Sequence, residues 1–253
     1  MEIKGKTIVI TGGGRGLGRA MAETFAQQGA NLALLDLNAE SLKASAELCQ
    51  QAGAKANTYI ANVADEQQVE EAFAKIKADF GQIDGLINNA GIIRDGLLVK
   101  YKDGQIEKRM TLTQWQTVMD VNLTGVFLCG REAATHMIEQ GNPGVIINIS
   151  SVSRAGNIGQ SNYSAAKAGV AAMAVTWAKE LARYNIRSAA IAPGFIHTEI
   201  LDAMKADALD KMAAGIPLKR IGKPEEIAQS ALFIFENDYF TGRVIETDGG
   251  IRL

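Results

Sequence analysis

A tyrosine and a lysine stand four residues apart, Tyr163 and Lys167, in the stretch QSNYSAAK. The stretch reads as the opening of a helix, where residues at that spacing share one face. A free tyrosine titrates near ~10. An ammonium close by favours the phenolate and lowers that value. A tyrosine tuned in this way can pass a proton to or from an alcohol oxygen. The spacing also arises by chance on solvated helices, so its meaning depends on what surrounds it.

A second chemical signal opens the chain. The run KTIVIT, residues 6–11, reads as a strand buried on both faces. It meets TGGGRGLG and then the helical pattern RAMAETFAQQGA. Strand, glycine loop and helix together make a phosphate site. Backbone N–H groups at a helix N-terminus face an anion, and glycine lets it approach closely. The spacing is T-G-x-x-x-G-x-G, through Gly12, Gly16 and Gly18. Asp36 ends the next strand, placed to accept hydrogen bonds from a ribose diol and to repel a 2′-phosphate. Arg15, inside the loop, argues the other way, because a guanidinium suits phosphate. Asp36 weighs more, which favours NAD(H) and leaves NADP(H) open. Its bland alternative is an N-cap for the following helix, a role that Asn38 could fill.

The elements that must position these groups alternate along the chain. Strands are expected at 6–11, 31–35, 55–62, 83–88, 144–149, 187–192 and 243–246, with helices between them. Asp65 with Gln68 resembles a capping box, with Val69, Ala72, Phe73 and Ile76 on the buried face of the helix that follows. Thr113 with Gln116 is read as opening one long helix over 114–139, with Trp115, Val118, Met119, Val121, Val126 and Phe127 as core candidates. Asn122 lies among them. A buried asparagine there is costly unless hydrogen-bonded, so it implies a structural bond or a site role. The Tyr163 helix is expected to run to about Tyr184, and Pro224 to sit at the first position of a helix over 224–236. The segment 98–110, LVKYKDGQIEKRM, carries Asp-Gly between two strand-like runs, a hairpin signal. It is either a surface insertion or a flap over substrate. Residues 196–216 are expected to cover the site, with Ile200, Leu201 and Met204 as an apolar wall.

This alternation predicts an α/β, single-domain Rossmann fold over 1–253: a doubly wound parallel sheet of about seven strands with helices on both faces. The glycine loop, Asp36, Asn62, the Asn89–Ala90–Gly91 turn, Ser150 and Ser151, and the 193–198 stretch all fall at strand C-terminal ends. A net charge of −2 offers nothing to nucleic acid or to an anionic membrane. Cys49 and Cys129 cannot make a disulfide framework and read as buried thiols. His136 and His197 are too few for a metal site. The N-terminal apolar run meets glycines at once and reads as a first strand rather than a signal peptide, so a cytoplasmic location is expected.

On TGGGRGLG, NNAG, the asparagine of VMDVNLTG, INISS, YSAAK and PGFIHT, in that order, the sequence resembles the classical short-chain dehydrogenase/reductase family. Within it, NNAGIIRDGLL and GQSNYSAAKAG resemble bacterial 3-oxoacyl-[acyl-carrier-protein] reductases of fatty-acid metabolism. The resemblance implies that Tyr163 is the general acid of reduction and that Lys167 lowers its pKa and bonds the nicotinamide ribose. A serine after the fifth strand would stabilise the substrate oxygen. Strand register favours Ser151 over Ser150. Asn122 would hold a water in a proton relay. The dinucleotide would lie on Gly12, Arg15, Gly16, Leu17 and Gly18, with Asp36, Leu37, Asn62 and Val63 around the adenosine. Asn89, Ala90, Gly91, Tyr163, Lys167, Pro193, Gly194, Ile196 and Thr198 would complete its site. A homotetramer would form through the two long helices and the last strand.

Three departures qualify the subtype. Asp36 suggests NAD(H), whereas these reductases usually prefer NADP(H). Asn62 stands where the family has an acidic residue. The carrier-docking end of the Asn122 helix, HMIEQGNPG, holds little positive charge. The leading expectation is an oxidoreductase interconverting a ketone and a secondary alcohol, on a 3-oxoacyl or 3-hydroxyacyl thioester, with carrier-protein docking open. The alternatives are an NAD-dependent dehydrogenase of a sugar, polyol, steroid or other small alcohol, and a non-catalytic dinucleotide sensor or scaffold.

Overall fold

The computed structural model describes residues 1–202 and 206–253. Its strands are β1 (Thr7–Thr11), β2 (Asn31–Asp36), β3 (Ala56–Ile60), β4 (Gly85–Asn88), β5 (Val99–Lys102), β6 (Gln105–Arg109), β7 (Gly144–Ile149), β8 (Ile186–Pro193) and β9 (Val244–Thr247). All but β5 and β6 form one parallel sheet of seven strands, in the order β3-β2-β1-β4-β7-β8-β9. Helices α1 (Gly16–Gln27), α2 (Ala39–Gln51), α3 (Glu66–Phe80), α4 (Leu112–Met119), α5 (Gly125–Gln140) and α6 (Ser161–Glu180) follow the strands in turn, with α9 (Pro224–Glu236) before the last. Strand residues alternate between two cores, as a period of two requires. Ile8, Ile10, Leu32, Leu34 and Ile147 pack towards α1, α2 and α9. Val9, Ala33, Leu35, Leu86 and Ile146 pack towards α3 and α5. This is the expected α/β Rossmann arrangement, and the chain reverses direction between β1 and β4. Open α/β sheets bind ligands outside the strand C-termini at such a switch point.

Local chemistry explains most boundaries. Asn38 caps α2 by accepting from the Ser41 amide at 2.8 Å, which leaves Asp36 for other partners. Asp65 caps α3, and Gly81 closes it in the left-handed conformation, φ 78°. β4 begins later than expected because Asp84 turns inward instead. Its buried carboxylate accepts from the Thr7 amide at 2.9 Å and from the Lys6 ammonium at 3.3 Å. α6 ends at Glu180, and a short 3-10 turn carries the chain through Ala182–Tyr184.

The long central helix differs from expectation in two ways. Its capping box is Thr111 with Gln114, not Thr113 with Gln116, so α4 starts earlier. Thr111 is extended and its hydroxyl accepts from the Gln114 amide at 3.1 Å, whereas Thr113 is already helical. A π turn at Asp120–Thr124 then separates α4 from α5. The extra residue rotates the faces, so the period that identified Val118 and Val126 as buried fails at Phe127, which is 45% exposed beneath Arg131.

The insertion forms the expected hairpin, with β5 antiparallel to β6. Asp103 and Gly104 both have positive φ, 50° and 81°, which is the two-residue turn that matches strand twist. Every hairpin residue is exposed on both faces. Two short helices, α7 (Glu199–Asp202) and α8 (Ala206–Gly215), flank the undescribed residues. Met204, part of the expected apolar wall, lies outside the described residues.

Candidate active site

The glycine loop closes over the end of β1. Gly12 has φ 63° and packs on Ala90, where a Cβ would stand 2.9 Å from the Ala90 Cα. Gly18 lets α1 approach so closely that a Cβ there would lie 2.0 Å from the Gly12 carbonyl oxygen. No side chain caps α1, and no acidic residue stands in its first turn. Its N-terminal dipole and amides therefore face the crevice without an internal counter-charge. Leu17 is half-buried against the core behind the loop. Arg15 is exposed, with no partner among the described residues. Thr198 stands over the same loop, within contact distance of a Cβ on Gly16.

Asp36 sits where β2 ends. One oxygen accepts from the Leu37 amide at 2.7 Å and the Asn38 amide at 3.2 Å, while the other accepts from Gly14 at 3.3 Å. Three amides thus aim the carboxylate along the loop. Leu37 beside it is 65% exposed. Asn62 accepts from the Ala64 amide at 3.1 Å. Val63, 7% exposed, packs into the space left by Gly125. Asn89 donates to the carbonyls of Thr11 and Gly12, both at 3.1 Å, which ties the Asn89–Gly91 turn to the glycine loop. Pro193 ends β8 and Gly194 donates to Thr247 at 3.0 Å, and a bridge joins Ile196 to Gly222.

The proton-handling groups meet at the neighbouring strand end. Ser150 and Ser151 face opposite ways. The buried Ser150 hydroxyl donates to the Lys167 carbonyl at 2.7 Å. The Ser151 hydroxyl lies beside the Tyr163 phenol and accepts from the Ser153 amide at 3.1 Å. Lys167 is buried, and its Nζ donates to the Ile149 carbonyl at 2.7 Å, 5.6 Å from the Tyr163 ring centroid. Asn122 is fully buried in the π turn. Its amide grips the Ile92 backbone at both ends, accepting at 2.8 Å and donating at 2.9 Å. A Cβ on Gly91 would touch both the Asn122 amide oxygen and the Lys167 amine, so these two groups flank one point of backbone.

The electrostatics reverse one expectation. The Tyr163 pKa lies above the ordinary phenol value, because burial raises it and the Asp95 carboxylate adds to that, outweighing the Ser151 hydrogen bond that lowers it. The Lys167 amine is turned to the Ile149 carbonyl rather than to the phenol, and burial pushes its own pKa down to about 8. The site holds a neutral phenol beside a lysine poised near neutrality. That pairing can donate a proton to an oxygen seated between the Tyr163 and Ser151 hydroxyls.

The sequence model of a family described as Enoyl-(Acyl carrier protein) reductase matches residues 12–252. The chain is 43% identical to the 3-oxoacyl-[acyl-carrier-protein] reductase of Thermotoga maritima, over 99% of each protein. The chain belongs to the short-chain dehydrogenase/reductase family. It is 38% identical to carbonyl reductase family member 4 of Xenopus tropicalis over 98% of each protein. Among solved structures, levodione reductase superposes with a TM-score of 0.90 at 36% identity, covering 98% of each chain. A short-chain type dehydrogenase/reductase from Mycobacterium marinum gives 0.90 at 32% identity, covering 98% of this chain and 96% of that one.

As a short-chain dehydrogenase/reductase, the protein is an NAD(P)(H)-dependent oxidoreductase acting on CH–OH groups. The residues present fit such a cofactor: an uncapped helix N-terminus, a glycine cradle that a Cβ would fill, and a carboxylate at the end of β2. Among the described residues no cluster could hold a metal ion, and no helix is long and apolar enough to cross a membrane.

Several positioning residues escaped the sequence reading. Thr11 accepts from the Asn89 and Ala90 amides, both at 3.0 Å, and so joins β1 to the turn after β4. Arg19 clamps the Gly14 carbonyl with two nitrogens, at 2.7 and 3.1 Å. Buried Asn162 donates to the Arg94 and Gln114 carbonyls, both at 3.1 Å, and accepts from the Tyr163 amide. A buried asparagine beside a candidate acid is a legible signal. The other two need tertiary structure to be seen.

The Gly18 contact has a direct test. Gly18→Ala must push α1 off the end of β1. It is expected to weaken NADH binding at least about tenfold in a fluorescence titration and to cost ~1–3 kcal/mol in denaturant unfolding. Unchanged affinity would show that the loop is not the phosphate site.

Proposed function

We propose that this protein reduces 3-oxoacyl thioesters, or oxidises the corresponding 3-hydroxyacyl thioesters, with NAD(H) as the preferred cofactor. The observation that carries the reading is the Ser151–Tyr163 hydroxyl pair above the buried Lys167, with Asn122 alongside. Similarity along the whole chain to proteins named 3-oxoacyl-[acyl-carrier-protein] reductase supports the substrate class. The bound nicotinamide supplies the hydride. In reduction, Ser151 donates a hydrogen bond to the carbonyl oxygen and stabilises the charge that develops there. Tyr163 gives that oxygen its proton. Lys167 and Asn122 would hold the route by which Tyr163 recovers one, and the Lys167 amine would also bond a ribose hydroxyl. Asp36 would accept hydrogen bonds from the adenosine ribose. A homotetramer fits the exposed small residues of α6, Ala165, Ala168 and Ala172.

A side-by-side assay of NADH and NADPH with acetoacetyl thioesters, free and carrier-linked, tests this reading. Turnover only of small cyclic ketones or sugars would replace the thioester assignment. Turnover with NADPH alone would overturn the cofactor assignment. Asp36→Asn removes the charge that repels a 2′-phosphate and is expected to raise the NADPH/NADH ratio of kcat/KM about tenfold, ~1.4 kcal/mol. An unchanged ratio would mean that the carboxylate does not face the ribose.

A further inference from the structure

The β5–β6 hairpin is a surface that the fold leaves without a partner. Val99, Tyr101 and Ile106 are 47%, 68% and 58% exposed. A lone two-stranded hairpin with both faces wet is marginal by itself, so the fold gains little from it. Its charge is also unlike the rest of the chain. Residues 99–109 hold Lys100, Lys102, Lys108 and Arg109 against Asp103 and Glu107, in a protein whose net charge is −2. Glu107 is held by Lys100 at 2.5 Å and Asp103 by Lys102 at 3.8 Å. Lys108 and Arg109 have no acidic partner among the described residues. Cross-strand pairing places Val99 with Arg109 and Tyr101 with Ile106, so an aromatic ring, an aliphatic patch and a free guanidinium share one face.

The root of the hairpin is fastened to the candidate site. Met110 donates to the Leu98 carbonyl at 3.1 Å, closing the base. The segment leading into it is tied to the turn before Tyr163: Gly96 donates to the Gly159 carbonyl at 2.8 Å, and Gln160 donates to Asp95 at 3.0 Å. Asn162, adjacent to Tyr163, donates to the Arg94 carbonyl. Exposed Leu97, Leu98 and Ile158 stand around this junction. From it the strands project ~15 Å outward.

We propose that the hairpin binds the nucleotide end of a small phosphate-bearing thioester, with Arg109 engaging phosphate and Tyr101 stacking on the base. This rests on the thioester reading above. A guanidinium without an internal partner suits phosphate oxygens. An exposed tyrosine offers a π face to a purine. Size favours a nucleotide over a carrier protein, because a stable protein partner needs ~20–30 residues a side and the hairpin supplies far fewer.

The test compares acetoacetyl-coenzyme A with the acetoacetyl thioester of N-acetylcysteamine, which has the same reacting carbonyl and no phosphate or base. Arg109→Glu, and separately Tyr101→Ala, are expected to raise KM for the coenzyme A ester at least about tenfold, with kcat unchanged. KM for the truncated ester should not move. NADH affinity checks that the variants are folded. Equal effects on both esters, or none on either, overturn the proposal. So does a shift confined to a carrier-protein thioester, which would make the partner a protein. Calorimetry of free coenzyme A reads the surface without turnover. If no thioester is reduced but coenzyme A binds and the Arg109 variant abolishes it, the thioester reading fails and the hairpin site stands. If the truncated ester is reduced but coenzyme A binding ignores the variants, the hairpin site fails alone.

Discussion

Tyr163→Phe is expected to lower kcat by ~10²–10⁴-fold while leaving NADH affinity within a factor of about two. The substitution removes one hydroxyl from a half-buried ring and keeps the ring's packing. What it deletes is the proton donor and the group that the Ser151 hydroxyl engages. Because the Tyr163 pKa is raised rather than lowered, the phenol stays protonated through neutral pH and into mild alkali. Reduction should therefore show no loss from Tyr163 titration between about pH 6 and about pH 9. Single-turnover rates with an acetoacetyl thioester check both points. A variant retaining more than a tenth of wild-type turnover would remove Tyr163 from the proton transfer.

Lys167→Met has two expected consequences that separate chemistry from stability. Turnover should fall by a similar ~10²-fold or more, since the only amine near the phenol among the described residues is gone. The stability effect is pH-dependent, and its sign follows from the depressed pKa. The folded value is about 8 and an unfolded lysine titrates near ~10.4. Between those values the unfolded chain binds more protons, so wild-type stability rises with pH through this window. The contribution is fully present above the unfolded pKa and is lost as pH falls through the folded one. A methionine at this position cannot titrate. Urea unfolding at about pH 8 and about pH 10 should therefore show wild type gaining ~2–3 kcal/mol on the variant. The unpaired Ile149 carbonyl adds a penalty that does not vary with pH and cancels in the comparison. A constant difference would place the amine in solvent-like surroundings.

The strand frame was legible because each central strand is buried on both faces and bounded by glycine or a capping residue. Ile8, Val9 and Ile10 could only be one thing. Phe127 shows what was not legible. Phe127 reads as core, yet the π turn rotates it outward. A π turn has no composition signal, since it is set by the bonds that Asn122 makes to Ile92 across the crevice. The serine choice shows the same limit from the other side. Strand register pointed to Ser151, and the structure turns Ser150 into the backbone of α6. The Tyr163 pKa was misread because spacing placed an ammonium nearby, while the Ile149 carbonyl that claims it lies 18 residues earlier in the chain.

The strand order β3-β2-β1-β4-β7-β8-β9 also carries a kinetic consequence. Read in the order of synthesis, every new strand joins an edge that already exists. β2 and β3 add outward on one side of β1, and β4, β7, β8 and β9 add outward on the other. No strand ever has to insert between two that are already paired. A chain emerging from the ribosome can therefore assemble its nucleotide cradle from residues 1–91 first, then extend the sheet one hydrogen-bonded ladder at a time. The proton donor is added to a platform that is already built.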